Sequence, residues 1–287
     1  MKTFATPPRA EPSRLRSCPL CGGASMRGLW AFEGFSFVRC ATCGLVQQNP
    51  QPLREAVLAR YDESYLAYEA ERHFVYAALE RRTFDDLGLL PWMRARASAA
   101  GAVGPRPRFL DVGCATGALL ASFKEEGWDL IGLDACKPAV LHGRERFGLD
   151  LREGVLEEAG LEAGSFDLVH ASHLIEHLNE PRDFLAEALG LLAPEGRLLL
   201  TTPNIGGFQA RLLGSGWRSA INDHLYLFSK KTLAALIEAS GGSILASVTW
   251  GGWAAGLRPA FIKGPLDRAA KLVGQGDVMA LLCRRAA

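Results

Sequence analysis

From residue 109 onward, apolar and polar positions alternate between two patterns. Short apolar runs occupy 109–112, 128–134, 149–153, 166–171 and 197–202, while 137–147 and 181–192 carry apolar residues at spacings of three and four. The first pattern predicts buried strands and the second predicts helices with one face toward a core. Downstream, 229–240 repeats the helical spacing, and 243–250 and 278–284 read as strands. Such alternation predicts an α/β fold with a parallel sheet covered by helices on both faces. Upstream, Leu53, Val57, Leu58, Tyr61, Tyr65 and Tyr68 recur at threes and fours within 51–98, which predicts a helical bridge over a pocket with the tyrosines on one face. Glycine and proline between 101 and 107 mark a boundary, and alternating aromatic and small residues over 29–39 predict a hairpin.

The first apolar run ends at Asp111 and enters a turn with Gly113, Ala115 and Gly117. Glycine takes backbone angles closed to other residues and lets a ligand approach the main chain. A carboxylate facing the free amides of a helix start suits a cationic ammonium group better than pyrophosphate. Asp134 closes the second run, where an acid is placed for ribose hydroxyls. The stretch resembles the class I S-adenosylmethionine-dependent methyltransferases, whose first motif, acid-x-Gly-x-Gly-x-Gly, is matched by Asp111, Gly113, Ala115 and Gly117. That resemblance implies a Rossmann-like seven-stranded sheet in the order 3-2-1-4-5-7-6, with only the last strand antiparallel. It implies S-adenosylmethionine as cofactor, Asp111 near the methionine amine, Gly113 and Gly117 under the ligand and Asp134 on the ribose. Cys114, Ala135, Val155, Leu156 and Ser172 are expected around the same ligand, with Tyr65 as the tyrosine whose hydroxyl reaches it. One departure stands at Gly154-Val155, where many relatives place Asp for the adenine amino group. The Leu156 backbone and apolar walls are expected to hold adenine instead.

With 287 residues and 48% hydrophobic content, the chain suits one α/β domain plus something smaller. We expect a zinc ribbon at 1–50, a helical bridge or lid at 51–104 and the methyltransferase domain at 105–287. A net charge of +1 argues against a DNA partner and against general RNA binding. No run of 18 apolar residues occurs and residues 1–9 carry no apolar signal core, so no membrane span and a cytoplasmic location are expected.

Seven cysteines include the pairs Cys18-Pro-Leu-Cys21 and Cys40-Ala-Thr-Cys43. In a chain without a secretion signal this spacing predicts a four-cysteine zinc site. Four thiolates leave no open coordination position, so the zinc is expected to be structural, replacing a core that so short a segment cannot build. Cys114, Cys136 and Cys283 stand singly and are expected to pack as small apolar residues.

Residues 172–178, Ser-His-Leu-Ile-Glu-His-Leu, resemble a subgroup that includes ubiquinone-biosynthesis O-methyltransferases. His173, Glu176 and His177 stand at helical spacing, so they either collect a divalent ion or order the loop by hydrogen bonding, with His173 lining the pocket. The segment 217–229 resembles a His-Leu-x-x-Phe-Ser element of this subgroup and of deoxysugar C-methyltransferases, with Asp223-His224 at its centre. His224 has a suitable pKa to take the acceptor's proton, and Asp223 either fixes the imidazole or meets solvent. Ser229 is the expected N-cap of the next helix. Asn204 is read equally as a substrate contact and as turn chemistry. The leading reading is O-methylation of a small molecule or sugar, with C-methylation of a nucleotide-linked keto sugar as the alternative and RNA methylation behind it. Acceptor choice is expected to lie in the bridge and in insertions near 206–222 and 251–276.

Overall fold

The computed structural model describes residues 13–101, 104–251 and 274–286. Most of the insertion near 251–276 lies outside these residues, as does part of the boundary at 101–107. In chain order come strands β1 (Ser13–Arg14), β2 (Met26–Ala31), β3 (Ser36–Cys40), β4 (Val46–Gln48) and β5 (Gln51–Pro52), then helices α1 (Arg54–Leu58), α2 (Glu63–Ala70), α3 (His73–Asp86) and α4 (Leu89–Ala100). Next are β6 (Arg108–Val112), α5 (Ala118–Ala121), β7 (Asp129–Asp134), α6 (Lys137–Phe147), β8 (Asp150–Glu153), β9 (Phe166–Ser172) and α7 (Pro181–Gly190). The chain ends with β10 (Leu192–Pro203), α8 (Phe208–Leu213), β11 (Tyr226–Leu227), α9 (Lys230–Ala239), β12 (Gly242–Trp250) and β13 (Val278–Arg285).

Seven strands form one sheet in the order β8-β7-β6-β9-β10-β13-β12. Numbered within the sheet this is 3-2-1-4-5-7-6, and β13 alone runs antiparallel, to both β10 and β12. Residues alternate between two cores, as period-two side chains in a doubly covered sheet require. Leu110, Leu198 and Leu200 pack with Phe184, Leu185, Leu233 and Leu236 from α7 and α9. Phe109, Leu168 and Leu199 face the other way, toward Phe84, Leu89, Met93 and Leu120 from α3, α4 and α5. Strand order reverses between β6 and β9, so a crevice opens there at the carboxyl ends of the strands, where ligands bind in open α/β sheets.

Strands β2, β3 and β4 form the antiparallel sheet that carries the cysteine pairs, and the predicted hairpin is β2–β3. Its fourth strand is β11, which arrives from far along the chain and pairs Tyr226 with Gln47 and Leu227 with Val46. The sequence carries no local signal for this, because two-residue pairing across so long a separation leaves no periodicity. Among the described residues no helix is long and apolar enough to cross a membrane.

Candidate active site

The glycine turn after β6 is tied down from behind. Backbone amides of Gly113 and Cys114 donate to the Leu133 carbonyl at 2.7 and 3.2 Å. Asp134 accepts from the amide of Ala115 at 2.7 Å and from that of Cys136 at 2.7 Å, so the second strand's acid shapes the first strand's turn. Burial pushes the Asp134 carboxyl up to about 6, with the two amides acting in the opposite direction. Gly113 needs its freedom, standing at φ +75°, and Ala115 holds the left-handed region at +47° without being glycine. Such a residue carries about 1–2 kcal/mol of backbone strain, a feature that clusters at functional sites.

A cleft of about 3000 Å³ opens over this turn, lined by Asp111, Gly113, Cys114, Ala115, Asp134 and Ala135. Val155, Leu156, Ser172, His173, Asp223 and His224 line it too, as do Tyr61, Tyr65 and Tyr68. Gly117 does not. At φ +73° it begins α5, and a Cβ there would stand 2.9 Å from Leu151, so its role is packing beneath the turn. Tyr65 stacks edge-on against Tyr61, and burial followed by the charge of Asp134 keeps its phenol protonated. The thiol of Cys114 is raised by burial and stays neutral. Ser172 donates to Glu80 at 2.7 Å.

At the cleft's other end lies a polar cluster in which Glu176 and His224 are buried and His173 is exposed. His173 stands at φ +50° and its Nδ1 meets Glu176 at 3.2 Å. Glu176 is 1% exposed and also accepts from the Thr202 hydroxyl at 2.8 Å. Burial alone would raise this carboxyl, but the hydrogen bond and charge of His173 hold it at about 2. His177 and His224 each place Nδ1 2.8 Å from a backbone carbonyl, of Asp223 and Ser219 respectively. A carbonyl only accepts, so both Nδ1 atoms carry a proton. Burial, then His177, push His224 down to about 3. Ligand atoms of Glu176, His177 and His224 lie within 4.8 Å of one another, an N,N,O donor set able to take a divalent ion. The predicted trio therefore changes membership, because His224 stands where His173 was expected.

The Asp223 carboxylate is taken by Arg60 at 3.1 Å, and the Ser219 carbonyl is what orients the His224 ring. Asn204 spends its side chain on the Gly276 carbonyl and the Gly206 amide, which is turn chemistry. Two residues escaped the sequence reading. His170 is buried in β9 with Nδ1 2.7 Å from Asp111 and Nε2 3.5 Å from Glu80 of α3. A polar residue within an apolar strand run was the available signal for His170. Glu80 left none, lying on a helix among other charged residues.

The cysteine knuckles also converge. Sγ atoms of Cys18 and Cys43 lie 3.4 Å apart and those of Cys21 and Cys40 3.5 Å, with all four inside 4.8 Å. A tetrahedral zinc tetrathiolate has sulfur–sulfur edges of about 3.8 Å, so the four residues fit one ion. A Cβ on Gly23 would press to 3.3 Å from the Cys21 sulfur, which explains glycine there. Burial opposes ionisation of Cys40, yet the amides of Cys43 and Thr42 bring its thiol down to about 6.

Residues 81–247 match the family model described as a methyltransferase domain. A ubiquinone biosynthesis O-methyltransferase of Xanthomonas oryzae pv. oryzae (strain PXO99A) is 36% identical over 121 residues, covering 40% of this chain and 48% of that protein. Its namesake from Parvibaculum lavamentivorans is 28% identical over 155 residues, covering 51% and 53%. The chain thus spans about half the length of the curated relatives it matches. The crystal structure of an S-adenosylmethionine-dependent methyltransferase from Archaeoglobus fulgidus shares the fold, with TM-score 0.52 at 18% identity over 77% of this chain and 99% of that one. Because the family match spans more than half of the sequence and carries the glycine turn and both strand-end acids, and the described residues form the 3-2-1-4-5-7-6 sheet, the chain belongs to the methyltransferase domain family, in its class I S-adenosylmethionine-dependent form.

Proposed function

We propose that the protein methylates a hydroxyl of a small molecule or sugar, using S-adenosylmethionine as donor and His224 as general base. The observation that carries this reading is the His224 imidazole itself, buried in the same cleft as the Asp111–Asp134 turn with Nδ1–H fixed on a carbonyl and Nε2 free to accept. Its depressed pKa keeps the lone pair available at any physiological pH. His224 would take the proton of the acceptor hydroxyl on Nε2, while S-adenosylmethionine, when bound, would supply an activated methyl group to the oxygen. The neighbouring Glu176 carboxylate stabilises the imidazolium that results. Methyl transfer needs little covalent help, since in-line positioning supplies most of the acceleration. Relatives named as ubiquinone biosynthesis O-methyltransferases support a small-molecule hydroxyl acceptor. Zinc on Cys18, Cys21, Cys40 and Cys43 holds the ribbon, and its fit to the four sulfurs supports that role.

The Glu176, His177 and His224 donor set favours a second reading, in which these residues hold a divalent ion that acidifies the hydroxyl. One experiment separates the two. Under the base reading, His224→Ala keeps S-adenosylmethionine affinity in calorimetry, lowers saturated turnover about 10²–10⁴-fold, and added Mg²⁺ or Mn²⁺ changes nothing in the wild type. Lost cofactor affinity with unchanged saturated turnover would falsify the base, and turnover that rises with added metal would establish the second reading.

A further inference from the structure

His170 stands between two carboxylates in the sheet interior, hydrogen-bonded to Asp111 through Nδ1 while Nε2 makes no hydrogen bond among the described residues. It is 1% exposed, its Nδ1 lies 2.7 Å from Asp111 and its Nε2 lies 3.5 Å from Glu80, an ion-pair distance. Glu80 is itself fixed, accepting from the Ser172 hydroxyl at 2.7 Å and the Thr201 hydroxyl at 3.3 Å. The rings of Phe84 and Phe109 pack against the imidazole at centroid distances of 5.5 and 6.4 Å, while the Glu80 carboxylate lies at the cleft wall with 15% of its side chain exposed. Asp111 belongs to β6, His170 to β9 and Glu80 to α3, so the three residues join the first strand, its neighbour and the helical bridge. Asp111 and Glu80 are the titratable groups acting on His170, and His173 acts in turn on Glu80.

We infer that Glu80 is a positioning residue which, through His170, latches helix α3 onto Asp111 and fixes the carboxylate that receives the cofactor's ammonium group. This rests on the cofactor reading given above. Without the proton on Nε2, His170 still donates from Nδ1 to Asp111, but a lone pair then faces the Glu80 carboxylate. The latch therefore depends on the charged form of His170. Burial lowers this group's pKa, yet Asp111 and then Glu80 overcome that and hold it up at about 9. A raised histidine contributes its full effect below its unfolded value of about 6.5 and loses it as pH rises through the folded one.

The test is calorimetric titration of the full-length protein with S-adenosylhomocysteine, which shares the amino-acid end of the cofactor, at several values between pH 7.5 and pH 10. Comparing proteins at each pH cancels the ligand's own titration. Glu80→Ala is expected to bind about tenfold more weakly at pH 7.5, as loss of one buried ionic partner implies. Glu80→Gln is expected within about twofold of the wild type at pH 7.5, because its carboxamide can donate to a neutral His170 Nε2. Wild-type affinity is expected to fall relative to that of Glu80→Gln as pH rises through about 9. A constant wild-type to Glu80→Gln ratio across the range overturns the latch, even if the alanine variant misfolds. Failure of the wild type to bind at any pH overturns the cofactor reading and the latch together.

Discussion

Asp134 serves the fold with both of its oxygens, and the ribose role proposed for it would use the lone pairs that remain. Each of its oxygens accepts one backbone amide, leaving further lone pairs for hydroxyl donors in the cleft. Only the ionised form can accept from both amides and a ribose diol together. Since burial holds this carboxyl up at about 6, and burial followed by the charge of Asp134 holds nearby Glu69 up at about 7, acidification from pH 7 protonates Glu69 first and then Asp134. The sign runs opposite to that of an ordinary carboxylate, because a raised acid favours the folded state at low pH. Below pH 6, affinity for S-adenosylhomocysteine should therefore weaken by up to about tenfold per unit while these two groups do not lower the melting temperature. Asp134→Asn should be weak and nearly flat across the same range, and a wild-type titration flat from pH 5 to 7.5 would count against the ribose assignment. Asp111, Asp134 and Gly113 were legible because strand ends and glycine turns are local. His170 and Glu80 act across three elements, and no spacing in the chain encodes that meeting.

Elements were read most accurately where a local signal marks their ends. Helix α9 starts at Lys230 behind Ser229, whose hydroxyl accepts from the Thr232 amide at 3.2 Å while the Thr232 hydroxyl accepts from the Ser229 amide at 2.9 Å. This reciprocal pair satisfies two donors that a helix start otherwise leaves open. Leu233, Leu236 and Ile237 then turn into the core beside α7. Ser229→Ala should lower stability by about 1 kcal/mol, seen as a fall of about 2–4 °C in melting temperature. An unchanged melting temperature would mean that packing alone sets this helix. The bridge was read as one helical region lying over the cleft, and α1 to α4 show why that was incomplete. Tyr61, Tyr65 and Tyr68 do line the cleft, but Phe84, Leu89 and Met93 bury themselves against the sheet's outer face. Both faces share the same three-and-four periodicity, which names a buried side without saying what covers it.

At the scale of the whole molecule, the ribbon sheet is completed by a strand that begins two residues after His224. Strand β11 follows Asp223 and His224 directly and completes the ribbon by pairing with β4. Gln48 reinforces the junction, its amide donating to the Leu225 carbonyl and its side chain to the Asn222 carbonyl, both at 2.8 Å. Arg60 adds the ion pair to Asp223, and the Leu225 amide returns a hydrogen bond to the Glu176 carbonyl at 2.7 Å. His224 is thus held between the sheet beside the four cysteines on one side and the strand-nine loop on the other. The glycine turn, by contrast, is anchored by β7 and Asp134, which owe nothing to the ribbon. Breaking the cysteine site should consequently separate the two halves of the chemistry. Cys40→Ser should remove about one zinc per chain by atomic absorption and lower the melting temperature. It should reduce saturated turnover about tenfold or more, since small misplacement of a reacting group is enough for that. Affinity for S-adenosylmethionine should stay within about threefold of the wild type, because the hydrogen bonds that shape the glycine turn come from β7 and Asp134 and not from the ribbon. Equal loss of turnover and cofactor affinity would show instead that the ribbon supports the whole fold, and unchanged turnover in a zinc-free variant would show that β11 holds His224 without help from the metal.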